Sequence, residues 1–485
     1  MIKLLKLIVG LVFTLLLVEC NRHMPLSKAP VPQNQLEAIK LSGTLKILTR
    51  IDPTTHYKNT DSYTGLEHDL IKLFAEHLGV KVEFIIPDTF AEILSGIADN
   101  KADIAAAGLT VTPQRAKKMR FSPSYYEITE QLIYRSGTQR PKNADYLTQG
   151  IVEVTAGTHH VDTLINLKKT VPDLAWTVNK ELDTDGLLYL VNEGLIDYTV
   201  ADSNQALLVR RYYPELNIAF DLTKPLQLAW ALSLSKDNSL FDEVTRFFTR
   251  IKKDKTLAQL IEKHYGHAST LNYVDNCTFR QHRKSRLPLY QKYFAAAADQ
   301  YKIDWRLLAA IGYQESHWQD NAISPTGVEG IMMLTNDTAE LLKIKNRKDP
   351  IQSIEGGARY FQQRIKLLDD TINEPDRTWL ALASYNVGMG HIYDARLLTT
   401  QQGGNPNKWL DVKQRLPLLA DEKWHRNTKY GFARGNEPVE YVENIRGYYD
   451  LLVWLTEENQ LKKHAMELKN NKPTSAAVKS SATTL

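Results

Sequence analysis

The chain carries only two cysteines in 485 residues, Cys20 and Cys277. If Cys20 is lipidated or removed, no intramolecular disulfide can form, and Cys277 reads as an inert packed thiol. No Cys-x-x-Cys, His-Glu-x-x-His or clustered His/Cys spacing occurs, so local sequence points to no metal centre and implies no cofactor. A net charge of +4 is mild for this length. It forms no basic block that could track a nucleic-acid backbone, yet it suits an anionic polymer as partner. Beyond the N-terminal segment no apolar run reaches the length of a membrane span.

What is present is the composition of a soluble globular protein, 43% apolar and 24% charged. The length exceeds one ordinary core, so two or more domains are expected. At the N-terminus Lys3 and Lys6 precede an apolar run, Leu7 to Val18, interrupted only by Gly10 and Thr14. That run is short for a span, which needs about twenty residues, and suits the core of an export signal. Residues 1–20 therefore read as a signal or anchor segment. Cys20 closes Leu17-Val-Glu-Cys20, which resembles a bacterial lipoprotein box except that Glu19 stands where small residues are usual. Residues 462–485, rich in Lys, Ser, Thr and Ala, read as a disordered tail.

Between residues 41 and 267 short apolar runs alternate with helical patterns, the mark of an α/β domain with largely parallel strands. Leu45–Thr49, Val80–Ile86, Ala102–Gly108 and Ile196–Ala201 read as strands, and His68–Leu78 as a helix closed by Gly79. Three segments carry a resemblance: Gly65-Leu-Glu-His-Asp-Leu70, Ala102 to Arg115 with Phe121-Ser-Pro-Ser-Tyr-Tyr126, and Asp197-Tyr-Thr-Val-Ala-Asp202. Together they resemble the extracellular solute-binding proteins that capture amino acids. The resemblance implies a two-lobed, periplasmic-binding-protein-like fold closing on a cleft. It also implies Arg115 on a ligand carboxylate, Asp202 on an ammonium, and Thr110 assisting. A free amino acid or a muropeptide is the implied ligand, in a regulatory rather than a transport role. The bland alternative is a packing scaffold with Arg115 in a surface ion pair.

After the turn-prone joint Gly266–Asn272 the patterns become helical, and residues 278–460 read as a mainly α domain. Leu287–Tyr301, Asp304–His317, Ile354–Leu368 and Trp379–Tyr385 are its expected helices. In Ala310-Ile-Gly-Tyr-Gln-Glu-Ser-His317, Trp305, Leu308, Ala309, Gly312 and Glu315 recur at helical spacing behind Asp304 as N-cap. A carboxyl on that apolar stripe loses water and is pushed toward its neutral form, which is what a general acid requires. An ion-paired helix end is the competing reading of Glu315.

Downstream follow Gly330-Ile-Met-Met-Leu334, Ser384-Tyr-Asn-Val-Gly388 and Glu440-Tyr-Val-Glu-Asn-Ile445. With Glu315-Ser316, these four ordered motifs resemble the lysozyme-like lytic transglycosylases of bacterial cell walls. Met333 stands where many members have Gln, and Ser384 and Val387 replace alanines. The order of both resemblances is that of the membrane-bound type F lytic murein transglycosylases.

The resemblance implies peptidoglycan glycan strands as substrate and Glu315 as the lone acid and base. It places Ser316, Gly330, Met332, Met333, Tyr385, Asn386 and Tyr441 along the sugar site, with Tyr441 tuning Glu315. Core filling competes for the methionines and for Tyr385. Asp320, in a turn, and Asp337, at a helix start, are candidate second carboxylates, so a lysozyme-type hydrolase stays open. So does a peptidoglycan or amino-acid sensor without turnover. Trp318, Trp379, Trp409 and Trp424 could stack on sugars or simply pack. An exported protein on the periplasmic side of the outer membrane, attached at its N-terminus, is the expected location.

Overall fold

The computed structural model describes residues 32–59, 62–268 and 273–456. The expected signal segment with Cys20, and the expected tail, lie outside the described residues. The first domain holds two five-stranded sheets, one per lobe. In lobe one the order is Lys81–Ile85, Thr44–Leu48, Ile104–Ala105, Ala231–Ser233, Met119–Phe121. In lobe two it is Thr177–Asn179, Val152–Thr155, Tyr198–Asp202, Glu130–Arg135, Leu216–Asp221.

The strands are parallel on one side of each sheet and antiparallel on the other. The antiparallel members arise because the chain leaves lobe one and later returns to it. A ribbon of Tyr126–Ile128 paired with Leu226–Leu228 marks the two crossings. The expectation of largely parallel strands therefore holds for only half of each sheet. The strand expected over Ala102–Gly108 is regular only at Ile104–Ala105.

Local chemistry sets the element ends. The first long helix, Leu66–Leu78, begins at Gly65, whose φ of 128° and close approach to the Thr55 carbonyl admit no side chain. It ends at Gly79 in the left-handed conformation, as its sequence predicts.

The second domain is helical. Leu287–Tyr301, Trp305–Ser316, Pro350–Lys366, Asp376–Val387 and a long C-terminal helix, Asn436–Thr456, enclose one core. Tyr273–Ser285 leads into it and runs across the expected boundary at residue 278.

The two domains are joined by buried charge as well as by chain. Arg446 on the C-terminal helix donates to Glu262 Oε1 at 2.9 Å and to the Glu262 and Lys263 carbonyls. Asp450, one turn on, accepts from Arg211 at 2.9 Å and meets His267 Nε2 at 2.7 Å. Trp454 stacks on Tyr212 of lobe two with centroids 5.0 Å apart. The two buried cations, Arg446 and Arg211, each face a part-buried carboxylate, the condition under which burying them is tolerable.

Candidate active site

Glu315 sits in the last turn of Trp305–Ser316, a helix whose buried residues include Leu308, Ala309, Gly312 and Ser316. Asp304 caps it, accepting from the Arg306 amide at 2.8 Å, and Tyr449 donates to the same carboxylate at 2.9 Å. A cap of this type contributes about 1 kcal/mol to the helix. The apolar stripe seen in sequence thus delivers a carboxyl to the edge of the core.

Burial raises the Glu315 pKa to about 7, against the hydrogen bond from Tyr441, which lowers it. No second carboxylate among the described residues contributes to that shift. Asp337 is exposed in the first turn of a helix capped by Thr335, and Asp320 is engaged with Tyr290. Neither reproduces a paired-carboxylate arrangement.

Tyr441 reaches Glu315 Oε1 from the C-terminal helix at 2.5 Å. Tyr385 lies beside it, rings stacked at 6.4 Å, and donates to the Met332 carbonyl at 3.1 Å. Tyr360 meets the far side of Tyr385 edge-on at 5.1 Å. Asn386, next to this tier of rings, is exposed.

The remaining sequence-predicted residues shape the site from behind. Ser316 is buried, and its hydroxyl bonds the Gly312 and Ile331 carbonyls, the latter at 2.8 Å. It ties the helix end to the Gly330–Leu334 turn and leaves no donor turned toward the carboxyl or a sugar. Met332 is fully buried against Gly312 and Gly357, so its side chain fills the core and only its carbonyl serves the site.

Gly330 is required by its own neighbours. Its φ is 82° and a Cβ there would meet the Arg347 carbonyl at 1.8 Å. Backbone crossing, not sugar approach, is what demands glycine at this position. Met333 is part-exposed with φ of 45°, a left-handed conformation unusual for an unbranched side chain. Trp318 and Trp409 are core residues, each 1% exposed, while Trp379 and Trp424 are half-buried under the cations of Arg446 and Lys423.

In the first domain Arg115 lies between the lobes. Its guanidinium donates to the Thr110 carbonyl of lobe one at 3.1 Å and to the Gly157 carbonyl of lobe two at 3.0 Å. Thr110 is buried and contributes that carbonyl, and Asp202 ends its strand facing His160. The sequence reading missed the residues that span the cleft. Gln205 of lobe two donates to both Asp52 of lobe one and Asp185 of lobe two. Arg50 stands in the field of Asp52, Asp202 and Asp185. Burial and the neighbouring Asp52 push the Asp185 carboxyl far above the ordinary range. Only the three-dimensional closure brings these groups together, so no spacing rule could have found them.

Two family models match the chain. Bacterial extracellular solute-binding proteins, family 3, matches residues 45–267, and the transglycosylase SLT domain matches residues 292–407. The two-lobed α/β domain followed by a helical lysozyme-like domain is thus the architecture of a solute-binding module fused to a transglycosylase module. Membrane-bound lytic murein transglycosylase F 1 of Alkalilimnicola ehrlichii is 46% identical over 432 residues, 89% of this chain and 87% of the relative. Membrane-bound lytic murein transglycosylase F of Pseudomonas putida is 46% identical over 423 residues, 87% of each chain. An ancestral arginine-binding protein bound to arginine matches at 25% identity, covering 46% of this chain and 98% of that one with a TM-score of 0.42. The chain belongs to the membrane-bound lytic murein transglycosylase F family.

Proposed function

We propose that Glu315 alone carries the proton transfers by which this lytic transglycosylase cleaves peptidoglycan. The bond is the β-1,4 link between N-acetylmuramic acid and N-acetylglucosamine. The protonated carboxyl donates to the glycosidic oxygen as the C1–O bond breaks, and the departing N-acetylglucosamine keeps that proton. The resulting carboxylate then takes the proton of the C6 hydroxyl of the same muramic residue. Its oxygen closes on C1 to give a 1,6-anhydro product, and Glu315 is protonated again with no water consumed. The substrate's acetamido group assists at the cationic centre. Tyr441 holds the carboxyl in place, Tyr385 and Asn386 line the floor, and the Gly330–Met333 backbone forms one wall.

The observation that carries this reading is the part-buried carboxyl with a pKa of about 7, bonded to one neutral phenol. Digestion of purified sacculi tests it, with products resolved by mass. Anhydromuropeptides are expected, and Glu315→Gln should abolish them while glycan binding persists. Ordinary reducing ends would mean a hydrolase, and binding without release would mean a sensor.

The first domain is proposed to take a small ligand, an amino acid or a muropeptide, between its lobes. Opening them breaks the Arg115 bond to Gly157 and frees the guanidinium fork for a carboxylate, with Asp202 available to an ammonium. Calorimetry on the full chain with amino acids and muropeptides should find binding that Arg115→Ala weakens about tenfold or more. Unchanged affinity would remove Arg115 from the site.

Among the described residues no helix is long and apolar enough to cross a membrane. Attachment is therefore assigned to the N-terminal segment, with lipidation of Cys20 as the proposed anchor on the periplasmic face of the outer membrane. Labelling with a radioactive fatty acid, lost in Cys20→Ala, tests the anchor.

A further inference from the structure

Lobe two brings together three residues that no sequence motif connects. Glu130 opens one strand, Asp202 ends its antiparallel neighbour, and the ladder pairs them directly opposite each other. Two carboxylates in that register repel one another and destabilise a sheet unless something positive stands between them. His160, in the first turn of His159–Leu167, projects into the gap with Nε2 3.1 Å from Asp202 Oδ1. His159 braces the other side, its Nδ1 2.8 Å from Glu130 Oε1. One ligand atom from each of Glu130, His160 and Asp202 lies within 4.8 Å of the other two.

All three side chains are buried, Glu130 completely. His160 Nδ1 has no hydrogen-bond partner, while Glu130 is held by His159 and by the Thr163 hydroxyl. A buried imidazole nitrogen left without a partner beside two carboxylates is costly.

We propose that Glu130, His160 and Asp202 form a site for a divalent transition-metal ion, of the class of Zn2+ or Mn2+. One imidazole nitrogen and two carboxylate oxygens are a donor set for such ions. Ligands about 2.0–2.2 Å from a tetrahedral ion lie roughly 3.4 Å from one another, so the three atoms need only small shifts to coordinate. Glu130 bonded to His159 supplies the outer contact that orients a ligating carboxylate. A dication also cancels the two opposed carboxylates, which resolves the repulsion in the ladder.

Arg50 acts on Asp202, and Arg115 on both Asp202 and Glu130, from lobe one. The three ligands all belong to lobe two, so opening the cleft withdraws those competing cations and leaves the ion's site intact. Asp202 is shared with the ammonium role proposed above. The two roles are separated by titrating metal without amino acid, and amino acid in the presence of chelator.

The test uses the full chain, stripped with chelator and titrated by calorimetry with ZnCl2 and with MnCl2. One equivalent of at least one ion should bind, and Co2+ should give a visible absorption band of inner-sphere coordination. Glu130→Gln, isosteric and checked for retained fold by circular dichroism, should weaken binding about tenfold or more and erase the band. His160→Ala should do the same. Absence of binding by both ions would overturn the site and leave a protonated histidine between two carboxylates. Binding of equal strength in folded Glu130→Gln and His160→Ala would overturn it too, assigning the heat to surface histidines.

Discussion

Tyr441 donates its phenolic proton to Glu315 Oε1 across 126 positions of sequence. Burial, and then the neighbouring Glu315, raise the Tyr441 pKa well above its ordinary value, so the phenol remains a donor throughout the working pH range. The bond favours the ionised carboxyl and opposes the burial that favours the neutral one. Glu315 is held between the two states, as the proposed role of giving and then taking a proton requires.

Tyr441→Phe removes both the influence opposing burial and the bond that holds the carboxyl in place. The Glu315 pKa should rise, and the alkaline limb of kcat/KM, expected near pH 7 in the parent, should move up by roughly one pH unit. Initial rates on sacculi across a pH series measure this. A limb that stays put would show that another group titrates.

Glu315→Gln should stabilise the fold while removing turnover. The folded carboxyl has a pKa of about 7 against an ordinary value of 4.5, so the native state binds the proton more tightly than the unfolded chain. Stability therefore falls as pH rises through that window, by up to roughly 3 kcal/mol and less where solvent reaches the part-exposed group. The variant should melt higher than the parent at pH 7.5, with the gap closing by pH 4. Equal melting temperatures at pH 7.5 would mean that the carboxyl is not strained by burial.

Gly330→Ala should be severe although it adds one methyl. The added carbon meets the Arg347 carbonyl at 1.8 Å, and the backbone φ is 82°. A loss of at least about 2 kcal/mol is expected in urea unfolding. Activity should fall with it, since the adjoining Ile331 carbonyl anchors Ser316 beside the acid.

Asp450→Asn probes the joint between the domains. Burial alone would raise this carboxyl, but the hydrogen bond from His267 and the charges of Arg211 and Arg446 hold it well below the usual carboxylate range. The His267 imidazole is itself pushed down to about 3 by burial and so is neutral at pH 7. A depressed pKa stabilises the fold above the unfolded value and ceases to as pH falls. The variant should lose about 3 kcal/mol at neutral pH, with the deficit shrinking in acid. Scanning calorimetry should show one transition in the parent and its splitting in the variant as the domains uncouple. One unsplit transition at the parental temperature would make the interface charges irrelevant.

The helix bearing Glu315 was legible because its apolar stripe, its Asp304 cap and its ending all lie within fourteen contiguous residues, Asp304 to His317. Leu287–Tyr301 was legible from its apolar spacing alone, since its N-terminus has no side-chain cap. Tyr441 could be named only through the motif around it, since nothing in its own spacing aims it at residue 315. Ser316 and Met332 sit correctly in their motifs, yet their side chains face inward, a matter of which side of a turn the core occupies. The antiparallel strands, the Gln205 clamp and the Glu130–His160–Asp202 cluster depend on lobe crossing and sheet register. Periodicity within a segment carries no information about either.

The buried charges at the joint change what it means to study either half alone. Severing the chain between residues 268 and 273 would strand Arg446 without Glu262, and would deprive Asp450 of both Arg211 and His267. Arg446 and Asp450 lie on the very helix that carries Tyr441. A liberated catalytic half would therefore present naked ions to solvent and adjust the support of its own acid. Its turnover numbers would describe a different enzyme.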